Sequence, residues 1–179
     1  MNDDNAAEIA IRARTIAQLF NSLDPSPFRE KDIDAGVEDF VVGWARELPR
    51  DRPIRLAVYL PAEEATRPDA AGIAEAFSHY FFGRAEALRR DLRELFRIGR
   101  QSLAIGLLVL ATCLIASQVA AGLIENRVAA RVVEESLIIV GWVANWRPIE
   151  IYLYDWWPIR RRQRLYQRLA RAPVLVKTP

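Results

Sequence analysis

Hydrophobic positions change their period several times along this chain. Residues 8–14, EIAIRAR, alternate: Ile9, Ile11 and Ala13 fall on one face, Glu8, Arg12 and Arg14 around the other. That is the period of a strand. Thr15 with Gln18 three residues on fits a capping box, which predicts a short helix through IAQLFNSL. DPSPF ends it, because each proline removes a backbone donor and restricts the residue before it. Helical spacing returns after Asp34, a candidate N-cap, with Val37, Phe40, Val41, Trp44 and Leu48 on one face, and Pro49 stops it. RPIRLAVYLP alternates again, with Ile54, Leu56, Val58 and Leu60 inward and Arg55 and Tyr59 outward. Strand, helix, strand is a small βα-type unit, and two strands alone are not stable. The sheet is expected to gain strands from another copy of the chain, or to be covered by the long helix that follows.

From Ala70 the pattern is helical, with Ile73, Phe77, Phe81, Leu88, Leu92, Leu95 and Ile98 as its apolar stripe. Arg84, Arg89, Arg90, Arg93, Arg97 and Arg100 crowd its end, and residues 103–124, LAIGLLVLATCLIASQVAAGLI, carry no charge at all. Those 22 residues span about 33 Å, against a hydrocarbon core of about 30 Å. ENRVAARVVEE reads as the turn on the far side. The tail from 159 onward holds seven basic residues and no acid, so the positive-inside rule puts both ends of a hairpin in the cytoplasm.

The return leg poses a problem of length. Ser136 to Trp146 is 11 residues, about 16 Å, too short to cross; Ser136 to Trp157 is 22 residues, about 33 Å. A full span therefore takes Arg147, Glu150 and Asp155 to membrane depth or to its edge, and Pro148 frees a carbonyl near residue 144. Arg147 and Glu150, three apart on a helix, pair with each other or with a neighbouring copy in one reading. In a second they line a polar path. In a third the helix ends at Trp146 and PIEIYLYDWW lies flat in the interface. Trp146, Trp156 and Trp157 are the expected interface anchors, and Arg160, Arg161, Arg162 and Arg164 the expected contacts to anionic headgroups.

Composition sharpens this picture at a few points. The chain has 179 residues, a net charge of +2, 51% hydrophobic and 27% charged residues, and a mean hydropathy of −0.02 that averages two regions of opposite character. So small a net charge does not mark the whole chain as a nucleic-acid binder. Lys31 and Lys177 are the only lysines, a bias that with abundant alanine suggests a GC-rich bacterial genome. Cys113 is alone in an apolar run and reads as a packed thiol. Asp24, Glu30, Asp32 and Asp34 lack the spacing of a calcium loop and read as turn and cap residues. His79, the only histidine, has no nucleophile marked beside it and reads as packed or interfacial. No catalytic residue, cofactor site or metal site is expected. MNDDNAAEIAIRAR lacks the apolar core of a signal peptide, so the N-terminus is expected to stay in the cytoplasm.

The phrases LFNSLDPSPF, GWARELP and GWVANWRPIEIYLYDWWPI resemble an uncharacterised family of small bacterial two-span inner-membrane proteins. The resemblance extends along most of the chain and implies an integral membrane protein of the bacterial inner membrane, without naming an activity. The expected fold is α+β and mostly helical. It has a cytoplasmic βα-type domain over 1–68, a juxtamembrane helix over 69–100, a transmembrane hairpin over 101–157 with spans at about 101–124 and 133–157, and a basic cytoplasmic tail with a C-terminal helix over 158–179. The expected function is non-enzymatic, that of a homo-oligomeric scaffold whose partners are membrane lipids, further copies of itself or another membrane protein, and not nucleic acid. An oligomeric conductor of ions or small solutes is the alternative, and a lipid-acting enzyme the third.

Overall fold

The computed structural model describes residues 6–25, 27–28, 31–49 and 51–178. The chain is mostly helical, with one small parallel sheet, and divides into two compact units. Unit 1 comprises Met1–Leu88 and Arg161–Pro179; unit 2 is Arg89–Arg160.

Unit 1 is built on strands β1 (Ala7–Arg12), β2 (Ile54–Tyr59) and β3 (Val174–Lys177), all parallel and in the order β1-β2-β3. Ile9 pairs with Leu56 and Ile11 with Val58, while Leu56 and Val58 pair with Val174 and Val176. The central strand is the one with the cleanest alternation. Its Ile54, Leu56 and Val58 face the core, as the pattern predicts. The start of the long helix does cover the sheet, and the third strand is not a second copy's: it comes from the C-terminal end of the same chain. Sequence could not supply this partner, because VLVK is too short and uniform to stand out from an apolar tail end.

Two crossovers that advance in the same direction across a parallel sheet, with the usual right hand, put both connections on one face. The core fits that rule. Helix α1 (Ala35–Glu47), the start of α3 (Ile73–Leu123) and the end of α6 (Trp156–Ala170) join the sheet in a single apolar cluster around Phe77, Phe81, Leu19, Val41 and Leu169. The other sheet face is polar. Lys177 reaches Glu8 at 2.8 Å, and Tyr59 donates a hydrogen bond to Glu8. Burial weakens the Lys177 and Glu8 charges little there, and their hydrogen bond pushes the lysine up and the carboxylate down from their ordinary pKa values.

Local signals place the boundaries well. Asp34 caps α1, accepting from the Gly36 N–H at 2.9 Å. The expected helix after Thr15 shrinks to a 3-10 turn, Ile16–Leu19, and Thr15 makes no cap bond; instead Gln18 accepts from the Arg14 N–H at 2.9 Å. A short helix α2 (Ala62–Ala65) and a 3-10 turn (Pro68–Gly72) precede α3. The face of α1 differs from the expected one. Val41, Val42 and Ala45 are buried, whereas Phe40 is 45% and Trp44 52% exposed. The helix is turned so that Glu38, on the same face as Val41, Val42 and Ala45, points inward.

Residues 158–179, expected as a tail by itself, are divided. Tyr166, Leu169 and Ala172 are buried in the unit 1 core, and Val174–Lys177 is a strand of its sheet. A basic amphipathic stretch reads as surface-binding only until its apolar side finds a core, and here Tyr166 and Leu169 do. Leu169→Ala should therefore lower the unfolding free energy of the protein by about 2–5 kcal/mol. Urea denaturation followed by tyrosine and tryptophan fluorescence measures this; a midpoint equal to that of the unmodified chain would mean a free tail.

Candidate functional site

Unit 2 is a helical hairpin. Its first leg is the second part of α3, and Asn126 starts the return leg, its side chain accepting from the N–H groups of Val128 and Ala129. The return leg is α4 (Arg127–Val143), a break at Ala144–Asn145, α5 (Trp146–Glu150), a π-helical turn (Ile151–Asp155) and then α6. The turn between the legs is thus shorter than expected, since most of ENRVAARVVEE is already helix.

The legs pack through small and polar residues. Gly99 lies against Ile151, Gly106 against Asn145, and Gly141 against Leu110 and Cys113. A Cβ on Gly106 would stand 2.7 Å from the Asn145 Oδ1 and 3.0 Å from the Ala144 carbonyl oxygen. Asn145 is buried, and its Nδ2 donates to the carbonyls of Gly106 (3.1 Å) and Gly141 (2.9 Å). One side chain thereby crosses between the legs at the point where the return leg breaks. The break relieves Pro148, which has no N–H for the Ala144 carbonyl. Ser117 and Cys113 complete the buried seam.

Most of the large apolar residues are on the outside, although Ile151 is fully buried against Gly99. Ile105, Leu108, Ile115 and Leu123 of the first leg are 65–77% exposed, as are Trp142, Val143 and Trp146 at 63–69% on the second. Only 17% of the most apolar window of α3 is buried, and α3 is the one helix among the described residues long and apolar enough to cross a membrane. A water-soluble helix pair would hide those side chains and expose the serines and glycines.

The expected polar residues come together. The Arg147 Nη1 lies 2.9 Å from the Glu150 carboxylate and 3.1 Å from that of Asp155. The register of the legs sets their level along the hairpin: Arg147 falls between the Gly106 and Gly99 levels, opposite the first residues of the uncharged run. The triad is 31–56% exposed, not sealed between the legs. Trp156 and Trp157 contact each other, Trp156 donates to the Tyr152 carbonyl, and Trp146 and Trp157 point outward. Arg160 lies over the Trp156 ring, and Arg161, Arg162 and Arg164 are exposed on α6.

Unit 1 holds a second polar constellation that the pattern did not reveal. The Glu38 carboxylate accepts hydrogen bonds from Tyr80 Oη (2.5 Å), Tyr166 Oη (2.6 Å) and Arg84 Nε (3.2 Å). It thus ties α1, α3 and α6 together, and the Arg84 guanidinium also lies over the Tyr166 ring. Burial pushes the Glu38 pKa up, but the bonds from Tyr166, Tyr80 and Arg84 outweigh it and hold it below the usual carboxylate value. Burial beside the same carboxylate pushes both tyrosine hydroxyls up. Three donors from two helices thus converge on one acceptor of a third, which holds the three together.

The remaining singled-out residues have modest roles. His79 is exposed in an open groove with Glu75, Phe82 and Arg171. Cys113 is packed between the hairpin legs. Asp24 accepts from the Asp32 N–H, a turn contact, and Glu30 lies outside the described residues. No group of three or more metal-ligating side chains is gathered among the described residues. Neither family models, nor curated proteins, nor solved structures match the chain, so its function is read from geometry. Asn145, Gly106 and Glu38 are the residues that sequence reasoning passed over. The seven-residue spacing of Gly99, Gly106 and Cys113 was the available signal for the seam.

Two outcomes are expected. Gly106→Leu should destabilise the hairpin by about 1–3 kcal/mol through overpacking, whereas Gly122→Leu, with nothing within 4 Å of its added carbon, should be silent; thermal melts in detergent compare the two. Glu38→Gln should lower unit 1 stability at pH 7 by about 1.5–3 kcal/mol, the range for hydrogen bonds to a charged group. Because the folded-state pKa is lowered, the Glu38 contribution is complete above the ordinary value of 4.5 and is lost as pH falls through the folded value. The gap between the two proteins in urea melts should therefore close between pH 4.5 and lower pH; a gap constant from pH 7 to pH 3 would remove the carboxylate from this role.

Proposed function

We propose that this chain is an integral protein of the bacterial inner membrane, a homo-oligomeric scaffold that acts by assembly and not by catalysis. The observation that carries the membrane part is the inverted packing of unit 2. In hydrocarbon, burying a leucine between helices gains nothing over leaving it in lipid. Helices there meet through small residues and hydrogen bonds, with their large apolar side chains outward. Gly99, Gly106, Cys113, Ser117, Gly141 and Asn145 inside, with Ile105, Leu108, Trp142 and Val143 outside, follow that rule.

The register supports a particular depth. Arg147, Glu150 and Asp155 lie at the edge of the span, in reach of water and headgroups, so the triad needs no place in the middle of the bilayer. Trp146, Trp156 and Trp157 are then anchors around that edge. Strands from both ends of the chain share one sheet in unit 1. Both ends must therefore lie on one side of any membrane that the hairpin crosses. The arginines of 84–100 and 160–171 favour the cytoplasmic side. On α6, Arg161, Arg162 and Arg164 are exposed and can meet anionic headgroups, Arg162 from beside the Tyr166 hydroxyl that it also bonds, while Tyr166 and Leu169 hold the core.

Glu125→Cys and Thr178→Cys, each on a Cys113→Ala background, test the topology. A membrane-impermeant maleimide should label position 125 in intact spheroplasts and position 178 only after permeabilisation. Labelling of position 178 from outside would overturn this reading.

A further inference from the structure

Four charged side chains of α4 stand beside a stretch of α3 that has none. The antiparallel register set by Gly99–Ile151, Gly106–Asn145 and Leu110–Gly141 puts Glu134 and Glu135 opposite residues about 115–117 of α3, and Arg131 opposite about 119–120. Ala121 and Ile124 of α3 line one groove with Arg127, Arg131, Glu134 and Ile138 of α4. The glutamates therefore lie about 12 Å inside the far end of the uncharged run. Charge at that depth is expensive unless it meets charge. Within the chain only Arg131 and Glu135 are joined, Nε to Oε1 at 2.9 Å, with side chains 80% and 60% exposed. Among the described residues Arg127 and Glu134 make no ion pair, although Glu134 acts on Arg131 of its own helix at longer range. The bond to Glu135 uses the Arg131 Nε and leaves its Nη groups for a second acceptor.

We propose that this face joins two copies of the chain side by side in the membrane, with Arg131 of each copy set against the partner's Glu134. The proposal rests on the membrane reading above and names the interface of its assembly. The two signs on one helix face, less than one turn apart, make the face complementary to itself. A two-fold axis normal to the bilayer brings equal depths together, and the long arginine side chain covers the roughly 4.5 Å between the Arg131 and Glu134 levels, so each arginine meets Glu135 of its own chain and Glu134 of the partner. Ala121 and Ala130 leave room for close approach at the groove. Pairing with a second copy also shields from lipid the Arg131, Glu134 and Glu135 charges that the single hairpin leaves exposed.

The test uses the full chain in liposomes, with donor- and acceptor-labelled copies mixed and energy transfer read against dilution in lipid. Arg131→Glu alone and Glu134→Arg alone should each weaken self-association about tenfold or more. Mixed together, the two variants should restore transfer, because each then offers the charge that the other lacks. Alkaline carbonate extraction runs in parallel. Retention in the bilayer with transfer that neither single change alters would overturn the interface while leaving the membrane reading intact. Loss of transfer that the mixture does not restore would also overturn it. Extraction of the unmodified chain by carbonate would overturn both. Rapid labelling of Glu134→Cys, on the Cys113→Ala background, by an impermeant maleimide at high dilution and at low dilution alike would mean that water, not a second copy, meets these charges.

Discussion

The contact on which the hairpin depends is the Asn145 carboxamide held between the Gly106 and Gly141 carbonyls. A helix pair with most of its leucine and isoleucine outward has few apolar contacts, such as Gly99 with Ile151 and Gly141 with Leu110, to fix its register. A buried amide must satisfy its donors, and here one acceptor lies on each leg, so only one register serves. Gly106 has to be glycine for Asn145 to come so close. Once those residues meet, every other depth along the hairpin follows, including which charges lie at an edge and which lie well inside the uncharged run.

That register reverses the difficulty posed by the length of the return leg. Counting residues forward from Ser136 pushes Arg147 and Glu150 into the span. Pairing the legs instead places them opposite its beginning, where they close on Asp155. The chain covers the distance with residues that counting had given to the far turn, since α4 is helical from Arg127. The charges that stand beside the uncharged run are consequently at the other end, on Arg127, Arg131, Glu134 and Glu135, with Arg131 and Glu135 joined.

Unit 1 is organised by a different constraint, the need of two strands for a third. The chain meets it by coming back: α6 lays Tyr166 and Leu169 on the core and β3 pairs beside Leu56 and Val58. Glu38 secures the returning helix by accepting the Tyr166 hydroxyl together with those of Tyr80 and the Arg84 guanidinium. That node explains the turn of α1. A helix that must bring a carboxylate to the buried Tyr166 and the half-buried Tyr80 cannot also bury Phe40 and Trp44, so those rings lie outside.

By itself the sequence determined what depends on near neighbours. The alternation of EIAIRAR and RPIRLAVYLP made strands, Asp34 capped α1, and the uncharged run from 103 to 124 made a helix long enough to cross a bilayer, because period, capping and length act within a few turns. Tertiary structure decided what depends on distant partners. It gave β2 its third strand from residues 174–177, turned Glu38 inward, seated Asn145 on Gly106 and so fixed which residues of α3 Arg147 stands opposite. Pattern alone carries no trace of these pairings, since a buried glutamate or asparagine reads as a surface residue until the donors and acceptors that satisfy it arrive from more than thirty residues away.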